Sequence, residues 1–501
     1  MPVKETARPR RSVLLIGSEA RPFAKTGGLA DVLGALPPAL QRLGWDATVA
    51  LPRYREVTAG ELVETFPVTV GSYARDVDFY LAPLEGGAQA LLIDCPDLYD
   101  RPALYGVDNT DYPDNPRRFA FLCRAALEYA GRRGHGPSVV HAHDWQAALA
   151  PVYLKSLYAE HPVLGGTPSV QTIHNLAYQG LFEPDWLPRL DLGWSEFAID
   201  RLEFYGQISF LKGGIIDADA ITTVSRQYAD EIQTTAFGCG FDGILQMRSA
   251  ALTGILNGID TREWDPWRDP FLPAPFDAGH LAGKRDAKRT LLGRYGLPID
   301  EAALARPLVG MVSRMVDQKG FDLIEASLDA ITSLDLAFVV LGTGEPAYQD
   351  MWRALATRHP ERFGARIGFD ESLAHLIEGG ADMFLMPSRF EPCGLNQMYS
   401  MRYGTVPVVN GVGGLADTVV DEGQEAASGA ATGFVLDAFT PQGLLQALTR
   451  ALAAFKDPAR WRALQASGMA RDFSWDRSAQ EYVKIYKRLS DNRARSAGIR
   501  D

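Results

Sequence analysis

From residue 12 the chain sets a short apolar run, SVLLIGS, before a glycine-containing loop. DVLGALPPALQRLG then carries apolar residues at helical spacing, and DATVALP is a second apolar run. Runs of this length bounded by turn residues predict buried strands, and the helical period between them predicts the crossover of a βαβ unit. The pattern recurs downstream. DVDFYLAPL and QALLIDC flank a Gly86-Gly87 turn, and SVVHAHD, PSVQTIHN and AITTVS alternate with the helical stretches RRFAFLCRAALEYAGRR and QISFLKGGIIDA. Parallel strands need crossover connections and are buried on both faces, so this alternation predicts a largely parallel sheet under two layers of helix.

The stretch NGIDTREWDPWRDPFLPAP keeps no period and reads as an interdomain connection, with the boundary near residue 265. Beyond it PLVGMVSR, LAFVVLG, ARIGF, DMFLMPS, TVPVVN and GFVLD predict strands. FDLIEASLDAITSL, YQDMWRALATRH, ESLAHLIEG and LNQMYSMRYG predict the helices between them. The architecture repeats without the sequence repeating, apart from one echo: Gly27-Gly28-Leu29-Ala30-Asp31 and Gly413-Gly414-Leu415-Ala416-Asp417. Two open α/β units place the carboxyl ends of their strands, and so their ligand sites, along a crevice that the pair can share.

Composition narrows the classes. The 501 residues exceed what a hormone, a small disulfide scaffold or a single binding module needs, and fit about three units or two large α/β ones. No apolar run approaches the ~18 residues of a membrane helix. A net charge of −12 argues against a broad electrostatic grip on nucleic acid, so any bound anion is met locally. The four cysteines lie far apart without a C-x-x-C pair, which fits a reducing, cytoplasmic setting. The opening MPVKETARPRR reads as a solvated tail.

In Lys25-Thr26-Gly27-Gly28-Leu29-Ala30-Asp31-Val32 the paired glycines let a backbone approach a ligand closely, ahead of a helix start. Such a loop can hold phosphate with Lys25 as a mobile charge, or it is a plain turn. It matches neither G-x-x-x-x-G-K-[ST] nor G-x-G-x-x-G, so a nucleoside triphosphatase and a dinucleotide dehydrogenase lose their main support. His141-Ala142-His143-Asp144-Trp145 closes an apolar strand whose alternation puts both histidines on one face and Asp144 on the other. Without H-E-x-x-H or a cysteine partner there is no third zinc ligand. The histidines therefore read as buried and hydrogen-bonded, and Asp144 as the group placed to touch a substrate hydroxyl. His174-Asn175 follows a strand and precedes glycine and aromatic residues suited to a sugar; His174 itself reads equally as a structural residue.

The second half carries a sharper signal. In Ser313-Arg314-Met315-Val316-Asp317-Gln318-Lys319-Gly320, Arg314 and Lys319 flank a helix entrance at a strand end. A rigid guanidinium fork and a compact ammonium beside helix N–H groups can hold a diphosphate without metal; the alternative is a solvated charge pair. A second strand-end motif, Pro387-Ser388-Arg389-Phe390-Glu391-Pro392-Cys393-Gly394-Leu395-Asn396, converges on the same chemistry. Glu391 can fix sugar hydroxyls, while Gly394, Leu395 and Asn396 present N–H groups to phosphates. Cys393 lacks a nearby histidine and reads as a packed small residue.

Taken in order, KTGGLADV, VVHAHDW, TIHNLAYQG, YGQISFLK, LNGID, SRMVDQKG, PSRFEPCGL and GGLADTV resemble the bacterial glycogen synthases and plant starch synthases that use ADP-glucose. The likeness runs from about residue 12 to the DFSW segment near 475. It implies the GT-B fold of two Rossmann-like doubly wound parallel-sheet domains facing across a cleft. Residues 12–264 would form the acceptor side, 265–475 the nucleotide-sugar side, and 476–501 a helix returning toward the first domain. It also implies transfer of glucose from ADP-glucose to the non-reducing end of an α-1,4-glucan such as glycogen. Configuration would be retained, with no catalytic metal or other cofactor and no nucleic-acid or membrane partner. By motif, Lys25 would contact the nucleotide sugar and Gly27 and Gly28 its phosphates. Asp144, His174 and Asn257 would surround the glucose, Arg314 and Lys319 would neutralise the departing ADP, and Glu391 would hold hydroxyls of the transferred glucose.

The sequence departs from the bacterial pattern at Asn396, where Thr is usual, and at Phe369, where Tyr is usual. Phe369 keeps a stacking face for adenine without the hydroxyl, and Asn396 keeps polarity with a different reach. A non-catalytic glucan-binding or regulatory protein on the same scaffold is the alternative; a binder has no need of leaving-group cations.

Overall fold

The computed structural model describes residues 11–108, 110–425 and 430–496. The tail at 1–10 and the last residues of the segment after 475 lie outside the described residues. The chain forms two compact units. The first takes the residues up to Val224, then Ala229–Gly258 and the segment from Trp475 onward; the second takes Ser225–Tyr228 and Ile259–Ser474. The division therefore falls at 258/259, a few residues before the boundary read from the loss of period, and the C-terminal segment groups with the first unit.

The first unit is built on a nine-stranded sheet. Its strands are β1 (Ser12–Ile16), β2 (Asp46–Pro52), β3 (Glu61–Val70), β4 (Tyr73–Pro83), β5 (Gln89–Asp94), β6 (Val139–His143), β7 (Ser169–Ile173), β8 (Ala220–Thr223) and β9 (Leu252–Gly254). They lie in the order β9-β8-β7-β6-β1-β2-β5-β4-β3, parallel from β9 to β5 and antiparallel at β4 and β3. The central strands β6, β7 and β8 are buried along their whole length, polar residues included, as strands covered by helices on both faces are. β3 escapes the sequence reading for the opposite reason. Its first residues are exposed, and burial alternates only from Phe66 through Val68 to Val70. The order runs outward in both directions from β1, so the gap between β1 and β6 is the topological switch point. The helix Trp475–Ser496 packs on this unit, with Trp45 and Tyr486 ring centroids 5.3 Å apart and Ser478 Oγ donating to Leu256 O at 2.6 Å.

The second unit holds six parallel strands: β10 (Leu308–Val312), β11 (Ala337–Gly342), β12 (Phe363–Ile367), β13 (Met383–Met386), β14 (Val406–Asn410) and β15 (Phe434–Leu436). Their order, β12-β11-β10-β13-β14-β15, is the Rossmann order 3-2-1-4-5-6 counted from the unit's own first strand. Period-two alternation divides the apolar residues between two cores. Val309, Met311, Phe338, Val340, Met383 and Leu385 face one. Leu308, Ala337, Val339, Leu341, Phe384 and Met386 face the other.

Two helical expectations shift. FDLIEASLDAITSL forms two short helices, Phe321–Ala326 and Leu328–Ser333. Between them Ser327 Oγ donates back to Leu323 O at 2.7 Å, a local bond that competes with helix continuation. QISFLKGGIIDA opens as the strand Gln207–Ser209, and the helix starts only at Phe210, where Ser209 Oγ caps Lys212 N at 3.2 Å. None of the four cysteines forms a disulfide, and among the described residues no helix is long and apolar enough to cross a membrane.

Candidate active site

In the second unit the switch point lies between β10 and β13, and the loops leaving these two strands are knit together. Gly320, at φ 79°, lies so close to the other loop that a Cβ would stand 2.1 Å from Pro387 O. Arg389 N donates to Gln318 O at 2.9 Å, and Gln318 Nε2 to Phe390 O at 3.3 Å. On this support Lys319 Nζ donates to Glu391 Oε2 at 2.5 Å, and Ser388 Oγ to the same oxygen at 3.0 Å. Glu391 is only 6% exposed, so its charge is held by these two donors rather than by water. Arg314 is exposed, its guanidinium donating to Gln318 Oε1 at 3.2 Å.

The Glu391 turn rests on the second copy of the echo. A Cβ on Gly413 would stand 2.0 Å from Glu391 O, and one on Gly414 would stand 2.0 Å from Cys393 O; Gly414 N donates to Glu391 O at 3.1 Å. The first copy differs. Nothing lies within 4 Å of a Cβ built on Gly27 or Gly28. The same five residues are thus a packing requirement in one unit and open backbone in the other. Their acids differ too: Asp417 accepts from Arg226 N at 2.5 Å, whereas Asp31 accepts from Lys25 Nζ at 2.8 Å.

A third loop escaped the sequence reading. Gly342-Thr343-Gly344-Glu345 leaves β11 and runs against the Arg314 loop, with Met315 N donating to Thr343 O at 2.9 Å and Glu345 N to Met315 O at 2.8 Å. A Cβ on Gly344 would stand 2.2 Å from Met315 O. The signal in the sequence was G-x-G at a strand end. Gly344→Ala is expected to destabilise the protein by about 1–3 kcal/mol, since backbone must move to admit the methyl. Urea denaturation checks this, and an unchanged midpoint would contradict the close approach.

Asn396 donates its side-chain amide to Val312 O at 2.9 Å, tying the helix Asn396–Arg402 to the end of β10. Buried Gln397, also missed, donates to Cys393 O at 3.0 Å and Gly394 O at 3.1 Å and so fixes the turn beside half-buried Leu395; Gly394 there sits at φ 68°. Phe369 is 89% exposed just beyond β12, leaving an aromatic face unpacked.

In the first unit the glycine loop is met by an acid the sequence reading overlooked. Glu19 is 3% exposed and accepts from Thr26 N at 2.5 Å, Thr26 Oγ1 at 2.6 Å, Gly27 N at 3.1 Å and the Tyr105 hydroxyl. The N–H groups of Thr26 and Gly27 therefore serve a protein carboxylate here. Its signal was an acid three residues beyond an apolar strand. Lys25 is paired with Asp31.

Asp144 directly follows β6 in the left-handed region, φ 56°, which an L residue adopts at a cost. Its Oδ1 accepts from His174 N at 2.7 Å. Burial pushes its carboxyl up to about 7, and the charge of Glu19 acts in the same direction. The histidines form neutral chains. His143 Nδ1 lies 2.9 Å from His174 Nε2, and His141 lies 2.6 Å from both the Tyr486 hydroxyl and Thr172 Oγ1. Burial holds His141 and His174 down to about 3, so both are uncharged hydrogen-bonding groups near neutral pH. Asn257 is buried and shares no hydrogen bond with this network among the described residues; its Oδ1 has no partner there. Each unit thus gathers part of the expected set: Lys319 with Glu391 in one, Asp144 with His174 in the other.

A family model described as the starch synthase catalytic domain matches residues 12–247, and one for glycosyl transferases group 1 matches residues 300–464. The chain is 49% identical over 479 residues to a glycogen synthase of Anaeromyxobacter dehalogenans, covering 95% of this chain and 99% of that one. It is 46% identical over 485 residues to a glycogen synthase of Koribacter versatilis, covering 96% and 99%. Among solved structures, the catalytic domain of starch synthase IV from Arabidopsis thaliana bound to ADP and acarbose superposes with a TM-score of 0.87 at 33% identity, covering 96% of this chain and 99% of that one.

Proposed function

The chain belongs to the glycogen and starch synthase family, a GT-B hexosyltransferase family, and on that premise we propose that it moves glucose from ADP-glucose to the non-reducing end of an α-1,4-glucan with retention of configuration. The observation that carries this reading is the Lys319–Glu391 pair, 2.5 Å apart at the switch point of a Rossmann sheet. An ammonium has three donors and Glu391 uses one, which leaves two for phosphate oxygens. Arg314 on the same loop supplies a second cation. Breaking a glycosyl-phosphate bond places negative charge on the diphosphate and positive character on the sugar. Fixed cations for the diphosphate with an adjacent carboxylate for the sugar therefore favour the transition state over the bound donor.

Within this proposal Glu391 holds hydroxyls of the transferred glucose, while Gly394, Leu395 and Asn396 line the phosphates. Phe369 stacks on adenine, an assignment supported by its unpacked ring. In the first unit Asp144, His174 and Asn257 meet the sugar, with the unpartnered Asn257 Oδ1 as an acceptor for a hydroxyl. Lys25, Gly27 and Gly28 contact the donor, for which the open space beside both glycines leaves room. The partners are the nucleotide sugar and the glucan; the starch synthase IV relative is described as bound to ADP and acarbose. A cytoplasmic setting fits four cysteines without a disulfide.

Transfer of labelled glucose to glycogen, measured side by side with ADP-glucose and UDP-glucose, tests the reading. Incorporation from ADP-glucose is expected to dominate, and binding of glycogen without incorporation from either donor would overturn it. Because the cations in this mechanism are side chains, initial rates are expected to be unchanged after treatment with a chelator. A rate restored only by added metal would oppose the leaving-group role of Arg314 and Lys319.

Asp144 gives a pH dependence. Its carboxyl titrates near 7 in the folded chain against an ordinary 3.8. Between those values the folded state keeps a proton that the unfolded state has lost, so this group's contribution to stability falls as pH rises across the window. Stability of Asp144→Asn is expected to be flatter there. If the carboxylate orients a sugar hydroxyl, kcat/KM of the wild type rises as pH passes about 7. An identical acid limb in Asp144→Asn would remove Asp144 from the mechanism.

A further inference from the structure

Segment 263–271, part of the stretch read from the sequence as an interdomain connection without a period, is ordered around an imidazole. His375, on the helix Glu371–Gly380, is 1% exposed, and its Nδ1 lies 2.7 Å from Asp269 Oδ2. That carboxylate is itself fixed: Oδ2 also accepts from the Tyr403 hydroxyl at 2.6 Å, and Oδ1 accepts from Phe271 N at 2.9 Å. The indole of Trp264 stacks on the imidazole with centroids 3.8 Å apart and planes 9° from parallel, and it stacks equally closely on Tyr399, at 3.7 Å and 10°. The ring of His375 therefore has one orientation. The tautomer that donates Nδ1–H to Asp269 carries its lone pair on Nε2. That nitrogen is buried and has no hydrogen-bond partner among the described residues. His375 itself stands in a group with Glu263 and Glu371 whose ligand atoms, one from each residue, are all within 4.8 Å of one another.

We propose that His375, Glu263 and Glu371 bind a divalent first-row transition cation, with Asp269 orienting the imidazole from behind. A carboxylate holding the far nitrogen of a ligating histidine is the usual outer support of such sites, because it fixes the tautomer and raises the basicity of the ligating atom. One imidazole and two carboxylates suit zinc, cobalt or nickel better than calcium or magnesium, which favour all-oxygen shells. Metal–ligand bonds of ~2.1 Å in tetrahedral geometry put neighbouring ligand atoms roughly 3.4 Å apart, so from separations of up to 4.8 Å the carboxylates must close in by as much as about 1.4 Å. The burial pattern allows that. His375 is locked by its stack, while Glu263 is half-buried and Glu371 exposed. Water would complete the shell. The ion would join the start of helix Glu371–Gly380 to the segment ahead of the unit's first helix, and it has no place in the transfer chemistry proposed above.

The test uses the full chain, stripped with a chelator and dialysed, with zinc sulfate as the probe. Titration against a chromophoric zinc indicator is expected to show one site per chain that Glu371→Gln and Glu263→Gln each weaken at least tenfold. Circular dichroism would confirm that both variants fold, and His375, being buried, is left intact. Zinc is further expected to raise Tm of the wild type and to leave Tm of Glu371→Gln unchanged, because only a ligand that binds the folded state shifts unfolding. X-ray absorption on the loaded protein should report a nitrogen and oxygen shell. Equal zinc affinity in wild type and both variants would place the ion elsewhere, and no saturable binding would mean that the two glutamates merely surround the histidine. Either result overturns the proposal while leaving the glucosyl-transfer reading untouched, since that reading is measured by label incorporation in the presence of chelator.

Discussion

Lys319→Ala is expected to lower kcat with ADP-glucose by roughly a hundredfold or more, by analogy with the loss of one preorganised donor at a developing anion. The side chain is 19% exposed and its ammonium is fixed at 2.5 Å from Glu391, so it pays little reorganisation as charge builds on the diphosphate. Arg314→Ala is expected to lose a comparable factor in kcat by a different balance. Arg314 is exposed and held by Gln318, so its removal should leave stability unchanged while turnover collapses. Steady-state kinetics with both variants, alongside thermal melts, separates these effects. Near-normal turnover in both would end the leaving-group assignment.

The second large effect is expected at Glu391. Glu391→Ala removes the acceptor of two hydrogen bonds, from Lys319 and Ser388, and leaves the ammonium without its anion in a largely enclosed position. Stability is expected to drop by about 1.5–3 kcal/mol, the range for a hydrogen bond to a charged group. Turnover should fall on the order of a hundredfold, since in the proposed mechanism Glu391 is the carboxylate that orients the sugar. The two residues act as a unit, so the double variant Lys319→Ala with Glu391→Ala should cost far less than the two single losses combined. Strict additivity, in kinetics and in stability, would mean that the pair seen in the structure is incidental to the reaction.

Much of the second unit could be read along the chain. Its strands are continuous apolar runs, its loops begin where those runs end, and Arg314, Lys319 and Glu391 stand in the loops of β10 and β13. The motifs were legible because strand-end chemistry is local. Glu19 was not, because a lone acid after a strand carries no pattern; its role appears only when the glycine loop folds back to donate N–H groups to it. The order of the connection around Trp264 was not legible for a related reason. It lacks a period because its order comes from stacking on His375 and Tyr399, more than a hundred residues later.

The echo of Gly-Gly-Leu-Ala-Asp shows the same division at two positions. Both copies predict a loop entering a helix, and both form one, at Gly28–Arg42 and Gly413–Thr418. What the glycines are for differs. Gly413 and Gly414 are required because the backbone of Glu391 and Cys393 runs against them, whereas Gly27 and Gly28 border open space.

The order of residues alone settled the alternation of strand and helix, the placement of cations and acids at strand ends, and the family, because hydrophobic period and turn chemistry are written in neighbouring positions. Which groups are charged, paired or strained was decided only by the tertiary structure. Lys319 meets Glu391 because β10 and β13 are neighbours in the sheet, and Asp144 titrates near 7 because packed chain has displaced its water. Burial and pairing between distant segments set electrostatic energies, and no local pattern encodes them.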